Sequence, residues 1–287
     1  MRVVIGGGSG YVGQALVRSL QADGHEAVVL TRRPGRDGEG RTVGWETAAA
    51  EVDGADAVVN LAGVSIGGRR WTKARKQAIL SSRVDSTRML ARAIAAAASP
   101  PAVFVTASGI DYYGASGDVV VDEASAAGDS FLARVCVAWE EEAGSAPVPH
   151  VAVRAGLVVG PGARVIRLMA LPFRFFAGGP VGGGAQWFPW IHLDDLVAVY
   201  RLAVEGAIEG PVNAVAPEQL RQREAACAFG AVLHRPAVLP TPAFAVRLLL
   251  GEEADLLLHG QRAVSQKLGS LEFRYPRLRA ALESALR

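Results

Sequence analysis

Apolar residues at the start of the chain fall into two unbroken runs separated by one helical stripe. Residues 2–6 are mostly β-branched, Val12, Leu16 and Leu20 recur every four positions, and Ala27-Val28-Val29-Leu30 is a second unbroken run. Unbroken runs predict strands covered on both faces, while the i, i+4 repeat predicts a helix lying on them. Asp23-Gly24-His25 closes the helix, so the segment predicts strand, tight turn, helix and strand, a βαβ unit.

The same alternation continues. Ala57-Val58-Val59-Asn60-Leu61 predicts a buried strand ending in Ala62-Gly63, and Ile79, Leu80, Val84, Leu90 and Ile94 share one face of the helix that follows. Ala102-Val103-Phe104-Val105-Thr106 predicts the next strand, and Val212-Asn213-Ala214-Val215 a last one. Helices are expected near Gln219 to Leu233 and at the end, where Leu278, Leu282 and Leu286 form a buried stripe, and Arg235 to Pro240 reads as a connection into Phe244 to Leu250. Strands separated by helices predict an α/β protein with a parallel sheet.

Between the first strand and its helix stands Gly7-Gly8-Ser9-Gly10-Tyr11-Val12-Gly13. Gly7 permits the turn, Gly10 lets backbone N–H groups approach a pyrophosphate at the positive helix end, and Gly13 permits close packing of helix on strand. Ser9, Tyr11 and Val12 complete this candidate phosphate turn. At the end of the second strand a site for an unmodified ribose carries an acid, whereas this chain reads Thr31-Arg32-Arg33-Pro34 with no acid until Asp37. Two guanidiniums suit a 2′-phosphate, which favours NADP with Arg32 and Arg33 as clamps. The alternative is a solvated basic loop.

Composition narrows the class. The chain has 287 residues, half of them apolar, and 33 glycines. Average usage of about 7% would give roughly 20, and the excess shows no collagen-like period, so a disordered or fibrous protein is excluded. Thirty Lys and Arg against 28 Asp and Glu leave a net charge of +2, too balanced for a nucleic-acid partner. Cys136 and Cys227 form no CxxC, and the five histidines form no ligand pair, so no metal is expected. No apolar run reaches the roughly 18 residues of a membrane span, so the expected location is a reducing cytoplasm.

Further motifs carry a likeness. Asn60-Leu61-Ala62-Gly63, Tyr112-Tyr113-Gly114, Trp139-Glu140, Gly178-Gly179-Pro180, Gln186-Trp187-Phe188, Trp190-Ile191-His192-Leu193-Asp194-Asp195 and Gly260-Gln261-Arg262 stand beside the glycine turn. Together, from Val4 to Leu286, they resemble the atypical epimerase-like branch of the extended short-chain dehydrogenase/reductase family. The resemblance implies a Rossmann-type doubly wound parallel sheet with a smaller C-terminal substrate lobe. Residues 1–158 would bind NADP and residues 159–287 would face the substrate, with 187–215 returning to the sheet. It implies cofactor contacts at Leu61, Ala62, Gly63, Arg83, Thr106, Ala107, Ala155, Gly156 and Leu157. It also implies a small-molecule substrate and a homodimer through a helix pair, although the helix around Trp139 offers no clear exposed apolar stripe.

Hydride chemistry in that family uses a Tyr whose pKa is lowered by a Lys four positions on, with a Ser sharing the substrate oxygen. From Asp129 to Gly144 there is neither Tyr nor Lys, and the two slots hold Leu132 and Cys136. Two hypotheses follow. In the first, the protein is an epimerase-like oxidoreductase in which Tyr112 or Tyr113 supplies the proton, Ser108 orients the carbonyl and Arg83 is the cation beside the phenol. In the second, the pocket is kept as an NADP(H) sensor or scaffold without chemistry.

The second half supplies the substrate side. Gln186, Trp187 and His192 are candidate substrate contacts, His192 being equally suited to a structural role. Gly178 to Gly184 reads either as a substrate-covering loop or as a plain hairpin. Asp194 and Asp195 suit the N-terminus of a helix. The basic run from Arg69 to Lys76 reads either as an anion site or as a solvated helix start. Ala185 and Val64 stand where the branch has an Arg and often an acid, which speaks against a highly anionic sugar nucleotide.

Overall fold

The computed structural model describes residues 1–35 and 40–286. Its first half runs through β1 (Arg2–Gly6), α1 (Tyr11–Ala22), β2 (Glu26–Thr31), β3 (Arg41–Gly44), α2 (Ala48–Val52), β4 (Ala57–Asn60), α3 (Lys73–Ala96), β5 (Val103–Gly109), β6 (Val120–Val121), α4 (Phe131–Ala143) and β7 (His150–Ala155). The second half adds β8 (Leu157–Val159), α5 (Arg164–Arg174), β9 (Trp190–His192), α6 (Leu193–Val204), β10 (Gly210–Ala214), α7 (Gln222–Leu233), α8 (Ala243–Leu250), α9 (Asp255–Leu258), β11 (Arg262–Ala263) and α10 (Leu278–Leu286).

Seven strands form one sheet in the order β10-β7-β5-β4-β1-β2-β3, with every pair parallel. This is the expected doubly wound α/β sheet. Its switch point lies where β1 has β2 on one side and β4 on the other, and ligands bind beyond the strand ends there. The inner strands are covered on both faces, and the residue alternation assigns the faces. Val3, Ile5 and Val29 meet Leu16, Val17 and Leu20 of α1 and Tyr200 of α6, while Val4, Val28 and Leu30 meet Leu90 and Ile94 of α3.

The strand expected at 212–215 is β10, which adds to the sheet edge in register with β7, Asn213 opposite Arg154. Of the returning stretch 187–215, β9 pairs instead with β8, Leu157 opposite Trp190. A separate core gathers Ile166 and Phe173 of α5, Phe229 of α7, and Leu278 and Leu282 of α10. Phe173 and Phe229 stack with centroids 5.7 Å apart.

Two helix starts differ from expectation. The Arg221 N–H donates to Glu224 Oε2 at 2.6 Å, so α7 begins at Gln222 instead of near Gln219. Neither Asp194 nor Asp195 caps α6. His192 does so, its Nδ1 accepting from the Asp194 N–H at 3.1 Å. Asp195 turns away to accept the N–H groups of Arg274 at 2.7 Å and Tyr275 at 3.1 Å, holding the C-terminal segment.

Candidate active site

The turn from β1 to α1 is shaped to admit an anion. Gly7 has φ +78°, and a Cβ there would stand 2.7 Å from the Ala62 nitrogen, so the turn lies directly on the backbone that leaves β4. At Gly13 a Cβ would stand 2.6 Å from Gly8 Cα. Gly10 is the N-cap of α1 and provides no side-chain bond, no acid sits in the first turn, and a Cβ at Gly10 would meet only Gly7 O at 3.2 Å. The first N–H groups of the helix, at Tyr11 and Val12, therefore lack a side-chain acceptor beside the exposed Ser9 and Gly10. That combination fits a pyrophosphate.

At the end of β2, Thr31 Oγ1 accepts the Arg33 N–H at 3.3 Å. Arg32 and Arg33 are both exposed, and among the described residues neither guanidinium has a hydrogen bond or ion pair. Asp37 lies outside the described residues.

Ser108, Tyr112 and Tyr113 converge on one buried ion pair. Arg154 of β7 donates Nε to Glu140 Oε1 at 2.9 Å and Nη2 to Oε2 at 2.7 Å. Ser108 donates to the same Oε1 at 2.6 Å. The Tyr113 hydroxyl accepts from Arg154 Nη1 at 2.9 Å and donates to Asn213 Oδ1 at 2.8 Å. The Tyr112 ring lies on the guanidinium, 3.4 Å from centroid to Cζ, and its hydroxyl has no bond among the described residues. Burial raises the Tyr113 phenol despite the opposing Arg154. The cation beside the tyrosines is thus Arg154, not the expected Arg83. Ser108 and Tyr113, expected at a reacting carbonyl, direct their protons to Glu140 and Asn213. Thr106 is fully buried with its hydroxyl 2.9 Å from His150 Nε2, behind the strand end instead of at it.

Arg83 packs against Gly63, beyond the end of β4. A Cβ on Gly63 would lie 3.0 Å from its Cζ, and its Nη1 donates to the carbonyls of Ile79 at 3.0 Å and Val64 at 3.2 Å. Its guanidinium covers the Trp139 ring at 5.1 Å. Among the described residues no carboxylate pairs with it, and burial lowers its pKa. A carboxyl that acts on it is that of Asp111, in the short turn that ends β5. Asp111 makes no side-chain bond to another described residue, and burial pushes its carboxyl up to about 6. A Cβ placed on Gly109 would lie 3.4 Å from Asp111 Oδ2 and 3.7 Å from Cys136 Sγ. The Cys136 thiol, in one slot of the missing pair, is pushed up to about 12 by burial and then by Asp111. Asp111 was not among the expected site residues. Its signal was a lone acid in the otherwise uncharged run Gly109-Ile110-Asp111-Tyr112-Tyr113.

The remaining candidates are held for other reasons. A Cβ on Gly156 would be 2.9 Å from the Pro189 carbonyl carbon, so that glycine is required by crossing backbone. Ala155 and Leu157 flank it in β7 and β8, opposite Ala214 and Trp190. Leu61 donates its N–H to Gly6 O at 2.8 Å, tying the end of β4 to β1, while Ala107 is half-buried near the end of β5. Gln186 donates Nε2 to Leu257 O at 2.7 Å and Val181 O at 3.1 Å. Trp187 lies between the guanidiniums of Arg221 at 4.1 Å and Arg262 at 4.8 Å. His192 stacks on Tyr275 at 3.7 Å, and burial lowers its pKa to about 4, so the ring is neutral. The stretch from Gly178 to Gly184 is fastened, Val181 N–H donating to Gln222 Oε1 at 2.9 Å and Gly182 N–H to Thr241 O at 2.8 Å. In the basic run, Lys76 is already paired with Glu252. Among the described residues no side-chain cluster could hold a metal ion, and no helix is long and apolar enough to cross a membrane.

Comparison with known proteins agrees with this geometry. The NAD dependent epimerase/dehydratase family model matches residues 3–215, and a domain of unknown function, DUF1731, matches residues 241–285. Mouse epimerase family protein SDR39U1 is 39% identical over the whole of both chains. Epimerase family protein YfhF of Bacillus subtilis is 37% identical over 96% of this chain and 94% of its own. A crystal structure of human SDR39U1, isoform 2, with NADPH matches with a TM-score of 0.91 at 38% identity, covering 99% of this chain and 98% of that one. The first family match spans the sheet, the phosphate turn and the Ser108–Tyr113 segment, and on these grounds the chain belongs to the NAD dependent epimerase/dehydratase family.

Proposed function

We propose that the protein binds NADP(H) and acts as an epimerase-like oxidoreductase on a small carbonyl or hydroxyl compound, without the usual Tyr/Lys pair. The observation that carries the reading is the pair of exposed guanidiniums at the end of β2, Arg32 and Arg33, which have no anionic partner among the described residues, together with an α1 N-terminus that lacks a side-chain cap. A 2′-phosphate would engage the first and a pyrophosphate the second. The NADPH in the human SDR39U1 structure supports the same cofactor here.

A second reading, nucleotide binding without turnover, is favoured by the commitment of the Ser108 and Tyr113 hydroxyls to Glu140 and Asn213. Two measurements separate the readings. Titration followed by nucleotide fluorescence is expected to give tighter binding of NADPH than NADH, the preference falling at least tenfold in Arg32→Ala/Arg33→Ala. Equal affinity for the two nucleotides in the wild type would remove the cofactor assignment. Oxidation of NADPH with diacetyl, phenanthrenequinone or nitrobenzaldehyde supports the enzyme, and tight binding with no oxidation supports the second reading.

A further inference from the structure

We infer that the Asp111 carboxyl is the proton donor to the substrate oxygen, standing in for the tyrosine that α4 lacks. The inference deepens the oxidoreductase reading and rests on it.

Position comes first. Asp111 follows Gly109 and Ile110 in the turn that ends β5, on the side of the sheet where active chemistry in this fold is placed. Its Oδ2 and the Cys136 Sγ both lie within van der Waals distance of the point where a Cβ on Gly109 would stand. Cys136 occupies the Lys slot of the missing pair, so Asp111 lies beside the position that the pair's lysine would have held. A carboxyl there without a bond to another described side chain is free to make one to a ligand.

The neighbouring groups are less suited to give a proton. Ser108 donates to Glu140, and Tyr113 donates to Asn213 while accepting from Arg154. The Cys136 thiol, pushed up to about 12, is too weak an acid near neutral pH. Tyr112 has its ring on the Arg154 guanidinium. Asp111, raised to about 6, is matched to proton transfer near neutrality. The charged and titratable groups around it are Arg83 from α3, Cys136 and Glu140 from α4, and Arg154 from β7 beyond Tyr112. Arg83 favours the carboxylate left after transfer, and burial favours the acid before it.

The step balances with the family's cofactor. A bound reduced nicotinamide supplies two electrons and one hydrogen to the carbonyl carbon. The C=O π bond opens, and the oxygen takes its hydrogen from Asp111 Oδ as a proton, giving the alcohol. The Asp111 carboxylate regains a proton from water. In the reverse direction the carboxylate accepts the hydroxyl proton.

The test uses the full chain and the variants Asp111→Asn and Asp111→Glu. Infrared difference spectra of the ligand-free protein are expected to show a carboxylic acid band that titrates near pH 6 and is absent in Asp111→Asn. With diacetyl, phenanthrenequinone or nitrobenzaldehyde and NADPH, Asp111→Asn is expected to lose roughly 10²–10⁴-fold in turnover. NADPH affinity by fluorescence should be unchanged, and Asp111→Glu should restore part of the rate. Wild-type reduction should decline as pH rises through 6 and above, while the residual rate of Asp111→Asn should not follow that profile. A turnover in Asp111→Asn within threefold of wild type overturns the inference and leaves the oxidoreductase reading standing. Failure of the wild type to oxidise NADPH with any of the three probes, despite tight binding, overturns both.

Discussion

Arg154 and Glu140 meet through both arms of the guanidinium, Nε to Oε1 at 2.9 Å and Nη2 to Oε2 at 2.7 Å, with the Arg154 side chain only 4% exposed. Such a pair holds because every partner is present, and removing one partner leaves a buried charge uncompensated. Glu140→Ala is expected to destabilise the protein by roughly 3–5 kcal/mol, read as a drop in the denaturant midpoint. The double variant Glu140→Leu/Arg154→Met should be more stable than Glu140→Ala, because both charges go together.

The two tyrosines should separate. Tyr113→Phe removes a hydroxyl placed between Arg154 and Asn213, and leaving those groups unpartnered is expected to cost roughly 1–3 kcal/mol. Tyr112→Phe keeps the ring on Arg154 and removes a hydroxyl that has no partner among the described residues, so its effect should stay within about 0.5 kcal/mol. Urea unfolding of both variants checks the order.

Gly13→Ala should disable the phosphate turn. Its Cβ would stand 2.6 Å from Gly8 Cα and 2.7 Å from Gly7 O, and neither backbone atom can move without displacing the turn. NADPH affinity by fluorescence titration is expected to fall more than tenfold, together with a lower thermal midpoint.

Asp111 gives stability a pH dependence of definite sign. Its carboxyl ordinarily titrates at 3.8 and is raised by burial to about 6, so the folded chain holds a proton that the unfolded chain releases first. That contribution is present at pH below the lower value and is lost as pH rises through the higher one. Asp111→Asn should therefore match the wild type in thermal midpoint near pH 4 and exceed it increasingly up to neutral pH, with a ceiling of about 3 kcal/mol. A constant difference across that range would contradict the assignment.

Strand and helix order could be read from the chain because it rests on local signals, unbroken apolar runs and helical stripes, and the tight glycine turn between β1 and α1 rests on one as well, glycines at fixed spacing. The roles of Ser108 and Tyr113 could not. They depend on which side chains arrive from β7, α4 and β10, and Arg154, Glu140 and Asn213 are far from the tyrosines in sequence. Gly156 shows the same limit. It was expected as a cofactor contact, and the neighbour that demands a glycine there is Pro189, brought there by the pairing of β8 with β9. Asp194 and Asp195 carry a helix-start pattern that His192 pre-empts, since a ring nitrogen one residue ahead of the helix reaches the same N–H.

The two family matches end at residue 215 and resume at 241, which suggests a place to divide the chain. Its hydrogen bonds span that division. Glu123 accepts from the Asn213 N–H at 3.0 Å, from Ser265 Oγ at 2.7 Å and from the Gln266 N–H at 3.0 Å. Asn213 Nδ2 donates to Val264 O at 2.8 Å, and Gln261 Nε2 donates to Gly114 O at 2.7 Å. A fragment stopping at the first match would strip acceptors and donors on both sides of the cut at once. The gap between the two matched segments is therefore bridged by hydrogen bonds that tie the 261–266 stretch to the β10 edge of the sheet and to Glu123 and Gly114.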